Sequence, residues 1–360
     1  MLDYINIDKI TKTILLFGCF VISSIFLGTR VVGPDYHTYK SYYDIIPGFP
    51  ELLSSFKFNM ILSRFEPLFL VQIGVFKTFQ LPFTVFHFVF TASFVALFFL
   101  RIGKYTPYVF TATFIYIAFA YLSGWSALRQ FMATSIFFYA LQYLVEGKKM
   151  KYILYILIAC LFHVSALVLL PIAFYGNRRV SNIVVIFLLL LVSFLNLSNI
   201  LEKTAHVLLT VLPIFNAEKI SLSLAGRTSF INTIVIFWCV ILFFMMYFKN
   251  ILRKRYLNFE LFYNIFWISL FVYIFASSFG SFNRVLMYFK ILYPIVIPMC
   301  VFVFKETSGR ILVFCGVAMI SYVLFVRTIN EMDGFQIFDN DKFIPYKTFL
   351  KEGLEGIPFK

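Results

Sequence analysis

Charge is scarce in this sequence. Asp, Glu, Lys and Arg together make up 13% of the 360 residues, while hydrophobic residues make up 61%, which reverses the balance that keeps a soluble domain hydrated. The shortage excludes a sizeable soluble domain and makes the lipid bilayer the solvent. Acidic groups are the scarcer sign, 17 against 31 Lys and Arg, for a net charge of +14. The cations fall in short clusters between apolar spans rather than along one basic face, so they read as topology signals and no nucleic-acid partner is expected. Cys19, Cys160, Cys239, Cys300 and Cys315 all lie inside apolar spans, with no CxxC pair and no metal-ligand spacing, which argues against disulfides and zinc. There is also no Walker A sequence, no GxGxxG opening a helix and no HExxH. Nucleotide hydrolysis, dinucleotide binding and zinc proteolysis lose their usual support, and no cofactor or metal is expected.

What the sequence has is apolar length. Stretches at 13–32, 83–100, 108–122, 127–145, 152–175, 183–197, 229–248, 261–279, 285–304 and 311–326, with a short run after Pro67, give about eleven membrane segments on the criterion of about 20 apolar residues per crossing. Stretches such as 183–195 are apolar on every side, where a β-barrel would alternate. The expected fold is therefore an all-α, polytopic transmembrane protein, treated as one domain over 1–360. The span at 13–32 is too long for a signal-peptide core and lacks a small-residue cleavage site, so it is read as a retained first helix.

Lys148, Lys149, Lys151, Arg178, Arg179, the basic run 249–255 and the run 305–310 are expected on the cytoplasmic side with the N-terminus. If the loops at 148–151 and 178–179 share that side, the segment 152–175 must turn back near His163. A similar parity conflict over Lys77, Arg101 and Lys104 predicts a re-entrant element between 67 and 104. The loops 33–66 and 196–228 and the tail 330–360 are then expected on the far, periplasmic side.

Arg30, Arg64, Glu66, Arg129, Arg227 and Arg284 stand at helix ends facing that side. Each arginine has two readings, a headgroup-snorkelling cation or part of an anion site, and five on one side favour the second. Arginine's planar fork gives phosphate two parallel hydrogen bonds. Arg129, followed by Gln130 at the start of an apolar helix, needs a partner or a wet cavity. His163 is either a proton-transfer group or a hydrogen-bonded structural histidine. Asp35 and Glu66 are either bases or helix caps. Asp339-Asn340-Asp341 is read as a solvated turn in preference to a metal motif. Gln130, Tyr36, Tyr39, Tyr288 and Tyr346 are expected to line the substrate path, with interfacial anchoring the alternative for the tyrosines.

Several landmarks occur in order: Gly33-Pro34-Asp35-Tyr36 with Tyr39, Arg64-Phe65-Glu66-Pro67, Leu128-Arg129-Gln130, Phe162-His163-Val164-Ser165-Ala166, Asn283-Arg284 leading to Tyr288-Phe289, and Ile344-Pro345-Tyr346. The series resembles the EpsG-like branch of Wzy-type O-antigen and exopolysaccharide polymerases over nearly the whole chain. It departs from that pattern at Pro34 and Val164, and neither departure removes a candidate group. The resemblance implies a bacterial inner-membrane glycosyltransferase of the GT-C type, metal-independent, working at the periplasmic face. It implies transfer of a growing glycan from undecaprenyl diphosphate to the non-reducing end of a lipid-linked repeat unit, with membrane lipid and a chain-length regulator as further partners. In that setting Arg129, Arg284, Arg64 and Arg227 bind the diphosphate, and Glu66, Asp35 and His163 compete for the role of base. Another carrier-dependent glycosyltransferase or ligase, a flippase and a scaffolding protein remain as alternatives.

Overall fold

The computed structural model describes residues 3, 7–33, 35–54, 65–201, 203, 233–277, 285–304, 306–334 and 346–350. The described residues are helical and contain no named strand, so the all-α expectation holds. They divide into two compact units, Met1–Leu170 with Ile311–Lys360, and Pro171–Arg310.

The first unit contains α1 (Lys9–Gly28), α2 (Tyr36–Ile45), α3 (Phe49–Ser54), α4 (Pro67–Thr78), α5 (Phe83–Tyr105), α6 (Val109–Phe119), α7 (Leu128–Val145) and α8 (Lys149–Cys160), with 3-10 turns at Tyr121–Trp125 and Val164–Leu169. Helix α7 is its centre. Fourteen of its 18 residues are buried, as befits a helix apolar all round. Phe94 of α5 meets Phe131 of α7 edge-on, the ring centroids being 4.9 Å apart. Phe98 stacks on Tyr116 of α6 at 3.8 Å. Helix α1 lies against α5 at Gly28, where an added Cβ would stand 2.7 Å from the Phe88 ring and 3.1 Å from its Cα. A residue without a side chain lets the two backbones approach.

Two ends of this unit can be distinguished. At one end Lys12 donates to the Pro107 carbonyl at 3.3 Å, Arg101 to the Tyr139 hydroxyl and Lys104 to Gln142 Oε1 at 3.3 Å. The turn from α7 to α8 carries Lys148 and Lys149 at the same end, and Glu146 accepts from Lys148 at 2.7 Å. At the other end the start of α5 packs on α2, where Tyr36 meets Phe83 and Tyr43 donates to the Leu81 carbonyl at 2.6 Å.

Lys77 belongs to this second end, donating to the Asp44 carbonyl at 3.3 Å. Lys77 therefore lies apart from Arg101 and Lys104, as the parity argument requires. Helix α4 has 12 residues, a rise of about 18 Å, too short for a 30 Å hydrocarbon core. Its start lies beside the break at Leu161–Val164 and its end beside Asp44 and Phe49. The expected turn near His163 is present too. Helix α8 stops at Cys160, and Tyr152 near its start donates to the Leu169 carbonyl at 2.9 Å, so the chain has doubled back.

The second unit holds α9 (Ile172–Tyr175), α10 (Asn182–Leu197), α11 (Thr233–Tyr247), α12 (Lys249–Arg255), α13 (Phe259–Ala276), α14 (Met287–Lys290) and α15 (Tyr293–Val301); α16 (Thr307–Gly334) follows. Buried amides join its helices. Asn196 donates to the Ile274 carbonyl at 2.7 Å and to Ser277 Oγ at 2.9 Å, and Asn264 donates to the carbonyls of Gly176 and Arg178 at 2.9 and 2.6 Å. Such bonds hold helices together where lipid supplies no hydrophobic drive.

Three described helices, α1, α5 and α13, are long and apolar enough to cross, or four if the bent pair α11 and α12 forms one span. Among the described residues, eleven uninterrupted spans are not seen. The expected span at 285–304 is broken into α14 and α15, with Pro294 at the start of α15 and Pro298 inside it, where proline removes a backbone donor.

Candidate functional site

Glu66 stands at the N-cap position of α4 ahead of Pro67, yet its side chain makes no capping hydrogen bond. The carboxylate turns instead toward two residues far away in sequence. Oε1 lies 2.8 Å from His163 Nδ1 and accepts from the Val164 amide at 3.3 Å. Oε2 is paired with the Arg129 guanidinium. The Leu68 amide, one of the donors an N-cap side chain would take, is bonded to the Leu161 carbonyl instead.

Each partner is placed by a helix end. Arg129 occupies the first turn of α7, and its guanidinium lies 4.7 Å from the centre of the Phe65 ring and 5.8 Å from that of Phe69. Aromatic faces of this kind hold a guanidinium by cation–π attraction. His163 stands where α8 has ended and the 3-10 turn has not begun, and the Leu68 amide donates to the Leu161 carbonyl at 3.0 Å, tying α4 to that break. The side chains of Glu66, Arg129 and His163 are 15, 22 and 21% exposed, so the cluster is recessed but reachable. Burial works against ionising Glu66, but the hydrogen bond with His163 and the Arg129 charge outweigh it and hold the carboxyl below its usual range.

The site lies at the end of α7 away from the basic turn. The 16 residue steps from Arg129 to Val145 in α7 rise about 24 Å, close to the thickness of the hydrocarbon core.

The remaining expected site residues fall into three groups. Tyr39 is buried beside the Arg129 guanidinium and edge-on to Phe69 at 5.8 Å, so it borders the cluster, and Gln130 is buried next to Arg129. Asp35 is the N-cap of α2 in a left-handed conformation (φ 62°) without a side-chain cap bond. Tyr36 packs between Phe83, His87 and Arg30. Tyr346 stacks on Phe26 at 4.6 Å and donates to the Phe26 carbonyl, and Tyr288 is fully buried in the second unit. Arg64, Arg227, Arg284 and the Asp339-Asn340-Asp341 segment lie outside the described residues.

Arg30 departs from its expected place among the phosphate-binding cations. It is 1% exposed and donates to the carbonyls of Val32 and Trp125. The C-terminal strip covers it: the Val31 amide donates to the Lys347 carbonyl and the Phe349 amide to the Thr29 carbonyl, both at 3.1 Å. Phe65 and Phe69 were missed in sequence. Phe65, adjoining Glu66 in Arg64-Phe65-Glu66-Pro67, offered the nearest signal.

The arrangement suits proton transfer beside a developing negative charge. A carboxylate that binds Nδ1 fixes the imidazole tautomer and leaves Nε2 as the acceptor, and a guanidinium carries five N–H donors, more than one carboxylate can take. No curated protein and no solved structure matches the chain. The family model described as EpsG matches residues 13–348, which agrees with the landmarks and points to a polysaccharide-polymerase-like function. The chain belongs to the EpsG family.

Proposed function

We propose that the chain polymerises surface polysaccharide at the outer face of the bacterial inner membrane, transferring a growing glycan from undecaprenyl diphosphate to a lipid-linked repeat unit. The observation that carries this reading is the Glu66 carboxylate bridging His163 and Arg129. His163 Nε2 takes the proton from the acceptor hydroxyl as that oxygen bonds to the donor's anomeric carbon. The bond from that carbon to the diphosphate oxygen breaks, its electron pair leaves with the diphosphate, and Arg129 meets the charge. Preorganised donors aimed at growing charge contribute a few kcal/mol each. Glu66 orients His163 and is not the base, because both its oxygens are engaged. The orientation follows from the cluster lying about 24 Å along α7 from the turn that carries Lys148 and Lys149, which the excess of cations in cytoplasmic loops assigns to the cytoplasm.

The test is surface-polysaccharide banding in cells lacking the chain and supplied with wild type, Arg129→Ala or His163→Asn. A ladder with wild type and a single-repeat band with either variant, each inserted at normal level, is expected. Long polymer from both variants would remove the cluster from the reaction; banding indifferent to the chain itself would favour a transporter.

A further inference from the structure

In the second unit α12 leaves α11 at 76°. Its seven residues, Lys249 to Arg255, include four cations, too many for a hydrocarbon environment, so this arm lies along the polar boundary of the membrane. Leu252 is buried beneath it, while Ile251 is half exposed. Lys249 has a structural task, donating to the Val180 carbonyl and Asn182 Oδ1, both at 2.7 Å. Arg253 is paired with Glu260.

Beside this arm is a cavity of about 420 Å³ lined by Ile251, Lys254, Arg255, Val303 and Arg310. Three of the five are cationic and none is acidic. Arg255 donates to the Phe302 carbonyl, and Arg310 Nε donates to the Phe304 carbonyl at 2.5 Å. Both guanidiniums are thus held just past the end of α15 by backbone carbonyls. Their place is set before any ligand arrives, which lowers the cost of binding.

We infer that this cavity binds the phosphate of an anionic membrane lipid. Lys254, Arg255 and Arg310 meet the phosphate, and Ile251 and Val303 face the first methylenes of the acyl chains. The volume accommodates a headgroup, not a whole lipid. Basic pockets at helix ends on the cytoplasmic side are where anionic headgroups bind, and the sequence assigns both contributing loops to that side. The two apolar lining residues and the position at the boundary favour a lipid over a soluble phosphate. This inference does not depend on the reaction assigned to the Glu66 cluster.

The test uses the full chain in detergent, titrated with phosphatidylglycerol or phosphatidylcholine and read by native mass spectrometry. Wild type should retain phosphatidylglycerol preferentially. Lys254→Gln, an exposed position whose change leaves the helix packing intact, should weaken retention about fivefold, as should Arg310→Gln, while Lys148→Gln leaves it unchanged. Equal retention of the two lipids, or no loss with both Lys254→Gln and Arg310→Gln, would overturn the site. Displacement of phosphatidylglycerol by an equal concentration of inorganic phosphate would overturn the lipid assignment.

Discussion

A carboxylate held by an imidazole on one oxygen and a guanidinium on the other is part of a unit, and its members should fail together. General-base catalysis contributes about 10²- to 10⁴-fold, so His163→Ala should reduce polymerisation by that order with the protein still inserted. Glu66→Gln, which loses the charge that orients the ring, should cost nearly as much, and the double variant little more than either alone. Losses that multiply in the double variant would show that Glu66 and His163 act separately. The same geometry sets the pH response. Because His163 and Arg129 hold the folded-state carboxyl of Glu66 below its ordinary value of 4.5, its stabilising contribution is complete above that value and is lost as pH falls through the lower, folded pKa. The gap in thermal midpoint between wild type and Glu66→Gln should therefore hold from pH 7 to 5 and narrow below about 4.5; a gap already closing at pH 6 would contradict the pairing. Charged residues next to apolar runs are conspicuous in sequence, and Glu66, Arg129 and His163 were legible individually. Their meeting was not, since it joins positions 63 and 97 apart in sequence through packing that no local pattern encodes. Arg30 is the converse case. Sequence shows its charge but not that backbone carbonyls and the C-terminal strip would enclose it.

Helices carry these residues to their places, and α1 approaches α5 closely at Gly28. A Cβ at Gly28 would collide with the Phe88 ring and with backbone, whereas one at Gly18 of the same helix meets nothing within 4 Å. Overpacking a tight contact costs about 1–3 kcal/mol. Gly28→Ala should lower the thermal midpoint of the purified protein, while Gly18→Ala, with better helix propensity and room to spare, should leave it level or raise it. Equal behaviour of the two would mean that the helices separate without cost. Helix type was legible from the apolar runs, but crossing was not. A run such as 67–78 has the composition of a span and only half its length, and its return to the loop near Asp44 depends on the Lys77 and Tyr43 contacts. The run at 285–304 has the length, but its prolines divide it.

At the scale of the first unit, charge is sorted between its two ends. Lys12, Arg101, Lys104, Lys148 and Lys149 gather at one end, and the Glu66 cluster sits at the other. In the proposed orientation the first end, rich in lysine and arginine, is the cytoplasmic one, and a reaction on a lipid-linked glycan outside the cell needs the second end to face outward. Val164, 58% exposed beside His163, and Lys148, whose side chain is 53% exposed, report the two ends. With the five native cysteines replaced by serine, Val164→Cys should react with a membrane-impermeant maleimide in right-side-out vesicles, and Lys148→Cys only in inverted ones. The reverse pattern would place the cluster on the cytoplasmic side, where no exported polymer could grow, and the proposed reaction would fall while the cluster's geometry stood.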